Sequence, residues 1–483
     1  MAKRKILDSG LTFESVRVVP SYSEIRSRYG KQIDTSTKLA RRTARINVPT
    51  ISSNMDTVTE WEMATEMALH GGLGIIHRFM PIEKQAAQVR LVKERMRTIE
   101  ENPPTLPAKA TIADAKKLLN KRERGYVIVH EGENFTGKFA GIATVKDFKS
   151  ANEATPITKV MTPNTKGKMI VRSVGTTMQQ AIKVMSEHRI EKLPIINRSG
   201  KLVGVYTTKD YEFFSNYPTA ALDKQGRLMV GGAIGVKPTD IARAHLLVEA
   251  GVDVLVIDIA HGHHIYVKET LKQLRKEKVK LTIIAGNVAT YEGARFLGDL
   301  GADAVKVGIG PGHVCETRDV AGVGVPQITA IMEARRALKG KIPVIADGGI
   351  RNSGDVAIAI AAGADSVMIG TMLAGTDKSP GEYVTLDGIL HKLVRGMASS
   401  SAFRERQNLE NPSQVPDKYV PEGRETATPY RGPTAKVLQN LVGGLRSGMS
   451  YAGAHTITEM QDNSQLVLFP SGGTPEQKRP LGG

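Results

Sequence analysis

Short apolar runs rich in β-branched residues recur along the chain, and each ends in glycine or polar residues. Runs of this kind are typical of parallel strands that are buried on both faces. Helix-like stretches such as 239–251 and 289–301 separate most of them. Eight such strands alternating with helices predict an α/β fold, a (β/α)8 TIM barrel, with its chemistry on the loops that follow the strands. The predicted strands are INVPTISSN (46–54), GLGIIHR (72–78), LMVGGAIG (228–235), VDVLVIDIAH (252–261), LTIIAGNVA (281–289), ADAVKVGIG (302–310), PVIADGGI (343–350) and ADSVMIGTML (364–373).

The connection between the second and third predicted strands is about 150 residues long, far beyond an ordinary connection. Its residues 110–148 are weakly repeated at 176–211, and each copy predicts a helix, two strands and a T-x-K-D segment that opens another helix. A duplicated small α/β unit indicates a paired module inserted into the barrel. The module resembles a tandem CBS (Bateman) domain, whose relatives bind adenine or guanine nucleotides; the alternative is a spacer or an oligomerisation domain. We therefore expect barrel segments at 1–94 and 216–483 on either side of a module at 95–215.

The stretch from Ser399 to Lys436 differs from the rest of the chain. It is dense in Pro, Ser, Asn and charged residues, and it shows neither a helical nor a strand period. A long connection without structure of its own is usually functional, often a mobile lid, and is otherwise a disordered linker. Because this stretch lies between the last predicted barrel strand and a final helix at 436–449, we expect a lid at about 399–436.

The composition is that of a globular protein, with 41% hydrophobic and 24% charged residues. A single cysteine excludes an internal disulfide framework and predicts a reducing compartment, and no apolar run has the length of a membrane span or the place of a signal peptide. We therefore expect a cytoplasmic protein without a membrane partner.

The net charge of +17 calls for an anionic partner, but the basic residues are dispersed and only 5% of residues are aromatic. This pattern favours small phosphorylated ligands or a solvated basic surface over nucleic acid.

Two glycine-rich loops follow the seventh and eighth predicted strands, IADGGIRNSGD (345–355) and IGTMLAGT (369–376). TIM barrels often bind phosphate at these two loops, where glycines expose backbone N–H groups to the anion. Asp347, just before the glycine pair, is placed to accept hydrogen bonds from a ribose diol. The loops therefore predict a mononucleotide site, and the alternative is that their glycines only permit tight turns.

The histidine-rich stretch AHGHHIYV (260–267) does not have the spacing of a transition-metal motif, and no second Cys or His cluster accompanies it. Asp258, at the end of the fourth predicted strand, is the better functional candidate in this region.

The only cysteine, Cys315, lies in GIGPGHVCETR (308–318), just beyond the sixth predicted strand. A thiol on a flexible loop at the catalytic face of a barrel, beside a phosphate site, has the placement of a nucleophile. Thr317, two residues on, can relay a proton if a stronger partner polarises it. The alternative is an inert loop cysteine.

Several separated motifs together resemble the IMP dehydrogenase/GMP reductase family. They are SSNMDTVTE, GNVAT, GIGPGHVCETRDVAGVGVPQ, IADGGIRNSGD and GGLRSGMSYAGA, and the resemblance runs from about residue 6 to residue 470, including the CBS pair. It implies that Cys315 attacks C2 of a purine nucleotide to form a covalent thioimidate, and that Thr317 moves protons. It also implies a nicotinamide cofactor, NADPH or NAD, and a homotetramer, or a homo-octamer when CBS modules pair. The inserted module would bind regulatory ATP or GTP.

The same resemblance implies the binding residues. Carbonyl groups of Gly310, Gly312 and Cys315 would hold a monovalent cation, usually potassium (K+). The implied substrate-binding residues are Asn54, Asp347, Gly348, Gly349, Gly370, Thr371, Gly396, Met397 and Arg424. The implied cofactor-binding residues are Asp258, Asn287, Gly308 and Gly310.

The two branches of the family differ in the fate of the covalent intermediate. The dehydrogenase passes a hydride from IMP to NAD+ and then hydrolyses the adduct to XMP, whereas the reductase expels ammonia from GMP and reduces the adduct to IMP with NADPH. Only the dehydrogenase has to activate water, and its lid carries an arginine for this in the pattern EG-x-EG-R-x-P-Y-x-G. The lid here reads EGRETATPYRG (422–432), with Ala427 in the place of that arginine. Since alanine cannot orient or deprotonate water, this position favours the reductase.

Other positions are divided between the branches. Arg424 and Asn54 match reductase patterns, whereas TRDVAGVGVPQ and the CBS insertion are more usual in the dehydrogenase. His313 replaces a serine and Arg78 replaces a lysine that are usual in both branches. We therefore predict an NADPH-dependent GMP reductase of purine nucleotide salvage, with IMP dehydrogenase as the alternative and a nucleotide-sensing pseudoenzyme as a lesser one.

Overall fold

The chain folds into two compact units. The first comprises residues 1–95, 219–224 and 228–483, and the second comprises residues 96–218 and 225–227. The structure, a computed structural model, describes residues 10–41, 45–95, 99, 103–122, 125–132, 138–148, 151–165, 168–176, 178–208, 211, 215–277, 279–410 and 419–469.

Eight parallel strands form a closed barrel in the first unit, and each predicted apolar run contains one of them. Neighbours in the chain are neighbours in the barrel, which closes where β8 pairs with β1 and Met368 lies opposite Ile51. The predicted α/β barrel is therefore confirmed. The strands are β1 (Thr50–Ser52), β2 (Leu73–Ile76), β3 (Val230–Ile234), β4 (Val254–Asp258), β5 (Thr282–Val288), β6 (Ala304–Val307), β7 (Val344–Asp347) and β8 (Ser366–Ile369).

Helices follow the strands and cover the outside of the barrel. Their amino ends carry ordinary caps, such as the Thr290 hydroxyl that accepts from the N–H of Gly293 and the Asn352–Asp355 capping box. The two helix-like stretches predicted at 239–251 and 289–301 correspond to the third and fifth of these helices. The helices are α1 (Trp61–Leu69), α2 (Ile82–Arg95), α3 (Pro238–Glu249), α4 (Ile265–Lys276), α5 (Tyr291–Asp299), α6 (Gln327–Leu338), α7 (Ser353–Ala361) and α8 (Thr434–Ala452).

A packed apolar core fills the inside of the barrel, as expected for strands whose inward positions carry branched side chains. It is built mainly from one or two inward residues of each strand, and it includes Ile51, Leu73, Ile75, Ala233, Val254, Val256, Ile284, Ala304, Ile345 and Met368. The polar residues at the carboxyl ends of the strands therefore stand on a rigid base.

The second unit contains both copies of the predicted repeat. The first copy has the helix Ile112–Arg122 and the strands Tyr126–His130 and Phe139–Thr144, and the second has the helix Met178–Glu187 and the strands Lys192–Ile196 and Leu202–Thr207. Short strands complete the two sheets at Thr105–Pro107, Thr162–Pro163 and Arg172–Ser173.

The two copies share apolar packing, because buried Tyr126, Ile128 and Phe139 of the first cluster with Val205 of the second. The first T-x-K-D segment opens a single 3-10 turn, Val145–Phe148, rather than an α-helix. Residues 209 and 210, which end the second T-x-K-D segment, lie outside the described residues.

The insertion leaves the barrel after α2 and returns at Thr219. The returning segment is fixed to the barrel, since the side chain of Asn47 donates to the Thr219 carbonyl at 2.8 Å and Lys93 pairs with Asp223 at 2.9 Å. Helices of such a barrel end at the face where the strands begin. Lys93 and this returning segment of the first unit therefore lie opposite the loops that follow the strands.

The predicted lid has secondary structure of its own, so the expectation of an aperiodic segment is wrong. Residues Ser400–Glu410 form a helix, and Glu425–Pro429 form a strand that pairs with Ile389–Arg395, which in turn pairs with Tyr383–Leu386. The sequence of this helix shows little apolar periodicity, because only Ala402 and Phe403 are buried among its described side chains. Residues 411–418 lie outside the described residues.

Short elements complete the first unit. Strands Val16–Val18 and Leu466–Leu468 pair, as do Thr37–Lys38 and Arg45–Ile46. Short helical segments lie at Phe13–Ser15, Thr317–Val320, Thr371–Ala374 and Ile457–Asn463, and one more, Ile157–Lys159, belongs to the second unit. No helix in the described parts of the chain has the length and apolarity needed to cross a membrane.

Candidate active site

Cys315 lies on the loop that follows β6, at the end of the barrel where the strands finish. Its side chain is half-buried, and its Sγ lies 3.2 Å from Oγ1 of Thr317. The backbone N–H of Cys315 donates to the carbonyl of Gly312 at 3.1 Å, which turns the loop back on itself. The thiol and the hydroxyl predicted to relay its proton are therefore already in hydrogen-bond contact.

Glycine is required at Gly308, the first residue of this loop. Its φ is +148°, and a β-carbon there would lie 2.0 Å from the carbonyl oxygen of Asp347. No side chain fits at that distance, so the loops that leave β6 and β7 can approach each other only with glycine at this position. Gly310 follows in the same loop, and the side chain of Arg318 packs against it.

The first predicted phosphate loop packs against the Cys315 loop. A β-carbon on Gly348, whose φ is +91°, would lie 3.2 Å from the backbone nitrogen of Gly312. Gly349 comes next, and the second loop provides Gly370 and then Thr371, which begins the helix Thr371–Ala374. Both loops follow adjacent strands, β7 and β8, so their backbone N–H groups lie at the same end of the barrel as Cys315.

Two lid residues are hydrogen-bonded to the Cys315 loop. The N–H of Glu316 donates to the carbonyl of Glu422 at 2.8 Å, and the N–H of Arg424 donates to the carbonyl of Val314 at 3.0 Å. The guanidinium of Arg424 also donates to the carbonyl of His313 at 2.8 Å. Arg424, which directly precedes the lid strand, therefore places a permanent positive charge beside the Cys315 loop.

Gly396 lies between the lid strand and the Cys315 loop. Its N–H donates to the carbonyl of Arg424 at 2.9 Å, and a β-carbon on it would lie 2.7 Å from the carbonyl oxygen of Val314. Met397 follows and is half-buried. Three of the predicted substrate residues are thus brought next to the backbone that carries the thiol.

A polar network crosses the carboxyl ends of four neighbouring strands and reaches a fifth. The ammonium of Lys306 on β6 lies 2.7 Å from Oδ1 of Asp258 and 2.7 Å from Oδ2 of Asp347, and it also donates to Oδ1 of Asn287. The side-chain nitrogen of Asn287 donates to Oδ2 of Asp347 at 2.9 Å, and that of Asn54, beyond β1, donates to Oδ2 of Asp258 at 2.6 Å. Four residues predicted from separate motifs are therefore connected through one lysine.

The charges of this network set the ionisation of its members. Burial alone would raise the pKa of Asp258, but the Lys306 ammonium, the Asn54 amide and the charge of Arg78 outweigh it and lower that pKa. Burial alone would lower the pKa of Lys306, but Asp258 and Asp347 outweigh it and raise that pKa. Asp258 is therefore ionised and Lys306 is charged across the physiological pH range.

Lys306 was not identified from the sequence, although a signal existed. It is the one charged residue inside the run AVKV, and all four positions of that strand are buried. A charge in a strand that is otherwise apolar has to be paired, because burying an isolated charge is costly.

Arg395 is a second residue that the sequence did not single out. Its guanidinium lies 2.5 Å from Oδ2 of Asp56, which follows β1, donates to the Ser401 hydroxyl at 3.1 Å and also pairs with Glu405. It therefore ties the helix Ser400–Glu410 to the barrel.

Ala427 is held in the antiparallel sheet of the lid, where it lies opposite Leu393. Its methyl group is half-buried and offers neither a base nor a hydrogen-bond donor. Glu425, two residues earlier, accepts a hydrogen bond from the Ser401 N–H at 3.2 Å, and hydrogen bonding by Ser401 lowers the pKa of Glu425. Glu425 is thus a weak base, and its carboxylate is already hydrogen-bonded to Ser401.

The two departures from the family patterns lie at the same end of the barrel. Arg78 follows β2, and its positive charge helps to lower the pKa of Asp258. His313 precedes Cys315 by two residues, and burial together with the positive charges of Arg424 and Arg351 lowers the pKa of its imidazole. His313 is therefore mostly neutral at pH 7.

The carboxylate, amide and carbonyl groups at this end of the barrel have the chemistry needed to bind a nicotinamide nucleotide and an alkali cation. The ionised carboxylate of Asp258 can accept hydrogen bonds from ribose hydroxyls. The side-chain N–H groups of Asn287 already donate to Gly308 and Asp347, but its Oδ1, which accepts from Lys306, keeps one lone pair for a carboxamide N–H. Gly310, Gly312 and Cys315 offer uncharged carbonyl oxygens, which suit a hard monovalent cation better than a transition metal. The Gly312 carbonyl already accepts one hydrogen bond from Cys315 and keeps a second lone pair.

The histidine-rich stretch forms no metal site in the part of the chain that the structure describes, where no three His, Cys, Asp or Glu side chains are grouped as metal ligands would be. The rings of His261 and His263 are 6.3 Å apart at their centroids, and His263 packs on Phe296. His264 caps α4 by accepting from the N–H of Tyr266.

Comparison with known proteins gives one consistent family. The family model described as IMP dehydrogenase / GMP reductase domain matches residues 10–479. The chain is 45% identical to inosine-5'-monophosphate dehydrogenase of Halalkalibacterium halodurans, covering 99% of this chain and 96% of the relative. It is 43% identical to GMP reductase of Leishmania donovani, covering 97% of this chain and 96% of the relative.

Solved structures give the same result. The chain superposes on a GMP reductase variant from Trypanosoma brucei in complex with guanosine 5'-monophosphate with a TM-score of 0.84, at 41% identity and 98% coverage of each chain. It superposes on GMP reductase from the same organism in complex with guanosine 5'-triphosphate with a TM-score of 0.74, at 38% identity, covering 96% of this chain and 98% of that one.

Proposed function

This chain belongs to the IMP dehydrogenase/GMP reductase family of oxidoreductases, which act on purine mononucleotides with nicotinamide nucleotides, and we propose that it is a GMP reductase. In this proposal it converts GMP to IMP and ammonia with NADPH, as a step of purine nucleotide salvage. The observation that carries the choice of branch is the methyl side chain of Ala427 at the lid position where hydrolysis would require a basic group.

The first half of the reaction uses the Cys315–Thr317 pair. The sulfur of Cys315 forms a bond to C2 of the purine, and the thiol proton passes through the Thr317 hydroxyl, 3.2 Å away, to the exocyclic amine. The bond between C2 and that amine then breaks, ammonia leaves, and a thioimidate remains. Atoms balance, because the amine leaves with the proton that the thiol gave up.

The second half returns the thiol. The nicotinamide nucleotide supplies a hydride when it is bound, C2 accepts it, and the bond from C2 to sulfur breaks. The Cys315 thiolate then takes up a proton that comes from solvent and passes through Thr317. Asp258 and Asn287 would hold the cofactor, beside Gly308 and Gly310. No water is consumed, so the lid needs only to exclude solvent.

The network and the glycine loops hold the substrate in this proposal. Asp347 accepts hydrogen bonds from the ribose hydroxyls, and the N–H groups of the Gly348–Gly349 and Gly370–Thr371 loops bind the phosphate. Asn54, Gly396, Met397 and Arg424 surround the base. The carbonyl groups of Gly310, Gly312 and Cys315 hold a potassium ion that keeps the Cys315 loop in shape.

The second unit is proposed to be a tandem CBS module at about 95–215 that binds ATP or GTP and regulates a homotetramer or homo-octamer. Its support is the paired helix–strand–strand architecture and the shared apolar cluster of the two copies.

IMP dehydrogenase is the second candidate, because most of the similar curated relatives bear that name, including four at 44–45% identity. In that case a group other than residue 427 has to activate water. Arg424 is the basic side chain held against the Cys315 loop. A pseudoenzyme is disfavoured because the thiol and the hydroxyl are in contact.

One pair of assays tests the choice. We expect steady oxidation of NADPH with GMP and little steady production of XMP from IMP and NAD+. Fast XMP production together with no GMP reduction would reverse the assignment.

A further inference from the structure

Among the described residues of the first unit, two of the buried lysines, Lys306 and Lys93, are each held between two aspartates. Lys306 lies at the carboxyl ends of the strands with 3% of its side chain exposed, and Lys93, on α2, lies at the opposite face with 4% exposed. Lys93 pairs with Asp223 at 2.9 Å and with Asp253 at 2.6 Å. The fold thus offers two sites of the same composition, of which only the Lys306 site reaches the candidate active site.

All three N–H donors of Lys306 are used. They go to Asp258 on β4, Asn287 on β5 and Asp347 on β7. A lysine ammonium has three donors and no acceptor, so this site is fully satisfied without a ligand. Lys306 therefore does not need to contact a substrate in order to act.

The two carboxylates keep capacity for ligands. The bonds from Lys306 and Asn287 to Asp347 both go to Oδ2, and 19% of that side chain is exposed. The side chain of Asp258 is 24% exposed. Lys306 thus binds each carboxylate, and each carboxylate keeps part of its surface exposed to solvent.

We propose that Lys306 is a positioning residue that holds the substrate carboxylate Asp347 and the cofactor carboxylate Asp258 in place and aimed at their ligands. The inference rests on the proposed function, which assigns ribose hydroxyl groups to these two aspartates. A ribose hydroxyl donates only to a carboxylate that can accept, and a protonated carboxyl has less acceptor capacity and no charge.

The charges around these groups set the expected pH dependence. Asp258 faces Lys306 from β6 and Arg78 from beyond β2, and Lys306 faces Asp258 and Asp347. Burial opposes the ionised form of Asp258 and is overcome chiefly by Lys306. Without the ammonium, burial prevails at Asp258 and the pKa of that carboxyl rises, so cofactor binding is lost as the pH falls through the new value.

The test measures binding rather than turnover, so that the branch of the family does not affect it. GMP and IMP carry the same ribose phosphate, and their dissociation constants are measured by calorimetry between pH 6 and pH 8.5, together with that of NADPH. For Lys306→Met we expect GMP and IMP to bind about tenfold more weakly at every pH, as for the loss of one well-aimed hydrogen bond. NADPH binding should in addition weaken by about tenfold per pH unit below the raised pKa of Asp258. The wild type and Lys306→Arg, which keeps the charge, are expected to show only the titration of the nucleotide phosphates.

Lys93→Met is the matched control, since it removes an equally buried lysine from between two aspartates. It is expected to lose stability as Lys306→Met does while its nucleotide binding stays at the wild-type level. If Lys306→Met does not fold, the double variant Asp258→Asn with Lys306→Met removes a charge pair together and is easier to accommodate. Its Asp347 still lacks the ammonium, so GMP binding should be weaker than in Asp258→Asn alone.

GMP binding at the wild-type level in Lys306→Met and no weaker in the double variant than in Asp258→Asn, with Asp347→Asn clearly weakened, would overturn the inference and leave the site assignment standing. The same losses of binding in Lys93→Met would also overturn it, because the effect would then belong to general destabilisation. Binding of GMP by Asp347→Asn at the wild-type level would overturn both the site assignment and the inference.

Discussion

The Oγ1 atom of Thr317 lies 3.2 Å from the Sγ atom of Cys315, and both residues belong to the loop that leaves β6. The contact is local, since only one residue separates them in the chain. It is also supported from outside the loop, because the neighbouring Glu316 N–H donates to the Glu422 carbonyl at 2.8 Å. The proposed nucleophile and its proposed proton relay are thus fixed by the same backbone segment, and each can be tested separately.

Replacing Cys315 by serine should abolish turnover while nucleotide binding survives. The hydroxyl has nearly the size of the thiol, but it is a far poorer nucleophile near neutral pH. NADPH oxidation and calorimetric binding of GMP measure the two properties on the same preparation. Retained turnover in this variant would exclude the covalent mechanism.

Thr317→Val should lower kcat by roughly a hundred- to ten-thousandfold, the range that a positioned proton-transfer group contributes. Valine keeps the shape of threonine and removes only the hydroxyl that contacts Cys315. Thr317→Ser is the matched control, because it keeps the hydroxyl and should retain most of the activity. Equal rates for the valine and serine variants would show that protons move by another route.

Asp258→Asn should destabilise the barrel at neutral pH and not in strong acid. The folded-state pKa of Asp258 is lowered from the ordinary value of 3.8, so the stability contributed by its ionised form is complete above that value and is lost as the pH falls through the lowered one. We expect a loss of about 1.5–3 kcal/mol at pH 7, the range for a hydrogen bond to a charged group. Urea unfolding at pH 7 and pH 5 should give equal differences from the wild type. A difference that vanishes already at pH 5 would show that the carboxyl pKa is raised.

ATP or GTP should bind the second unit and change activity or oligomeric state. Calorimetry on the full chain saturated with GMP separates this binding from the active site, and sedimentation with and without the nucleotide reports the assembly. No heat from either nucleotide under these conditions would leave the second unit as a structural spacer.

The barrel was predictable because its strands are buried on both faces. Runs such as VDVLVID are apolar almost throughout, so they identify β4 without help from neighbouring elements. The lid helix Ser400–Glu410 was not predictable in the same way, because its contacts are few and specific. Phe403 stacks on Tyr419 with ring centroids 3.7 Å apart, a pairing between residues on either side of 411–418 that no periodicity reveals.

The site was predictable where a motif places residues on one loop, and less so where strands bring them together. Cys315 and Thr317 are near in sequence, whereas Lys306 acquires its role only because β4, β5 and β7 place Asp258, Asn287 and Asp347 around it. The order of strands in a closed barrel predicts which ends are adjacent, but not which side chain of β6 turns inward among them.

Ala427 is the residue on which the choice between GMP reductase and IMP dehydrogenase rests. The wild type should release XMP from IMP and NAD+ only slowly, because Cys315 can form the adduct while no lid residue activates water. Ala427 is half-buried and lies opposite Leu393, which is 40% exposed, so a longer side chain at position 427 has an outlet toward solvent. Ala427→Arg should therefore fold and should raise steady XMP release by roughly ten- to a thousandfold, as general-base assistance would.

Ala427→Met is the control, since methionine is similarly long and has no charge or hydrogen-bond donor. It should leave XMP release at the wild-type level, and single-turnover NADH formation from IMP should be similar in all three proteins because that step precedes hydrolysis. The rise in XMP release by Ala427→Arg will be smaller if His313 or Arg78 displaces the bound nucleotide. Fast steady XMP release by the wild type would mean that Arg424, held against the Cys315 loop through the His313 carbonyl, activates water. The chain would then be assigned to the dehydrogenase branch.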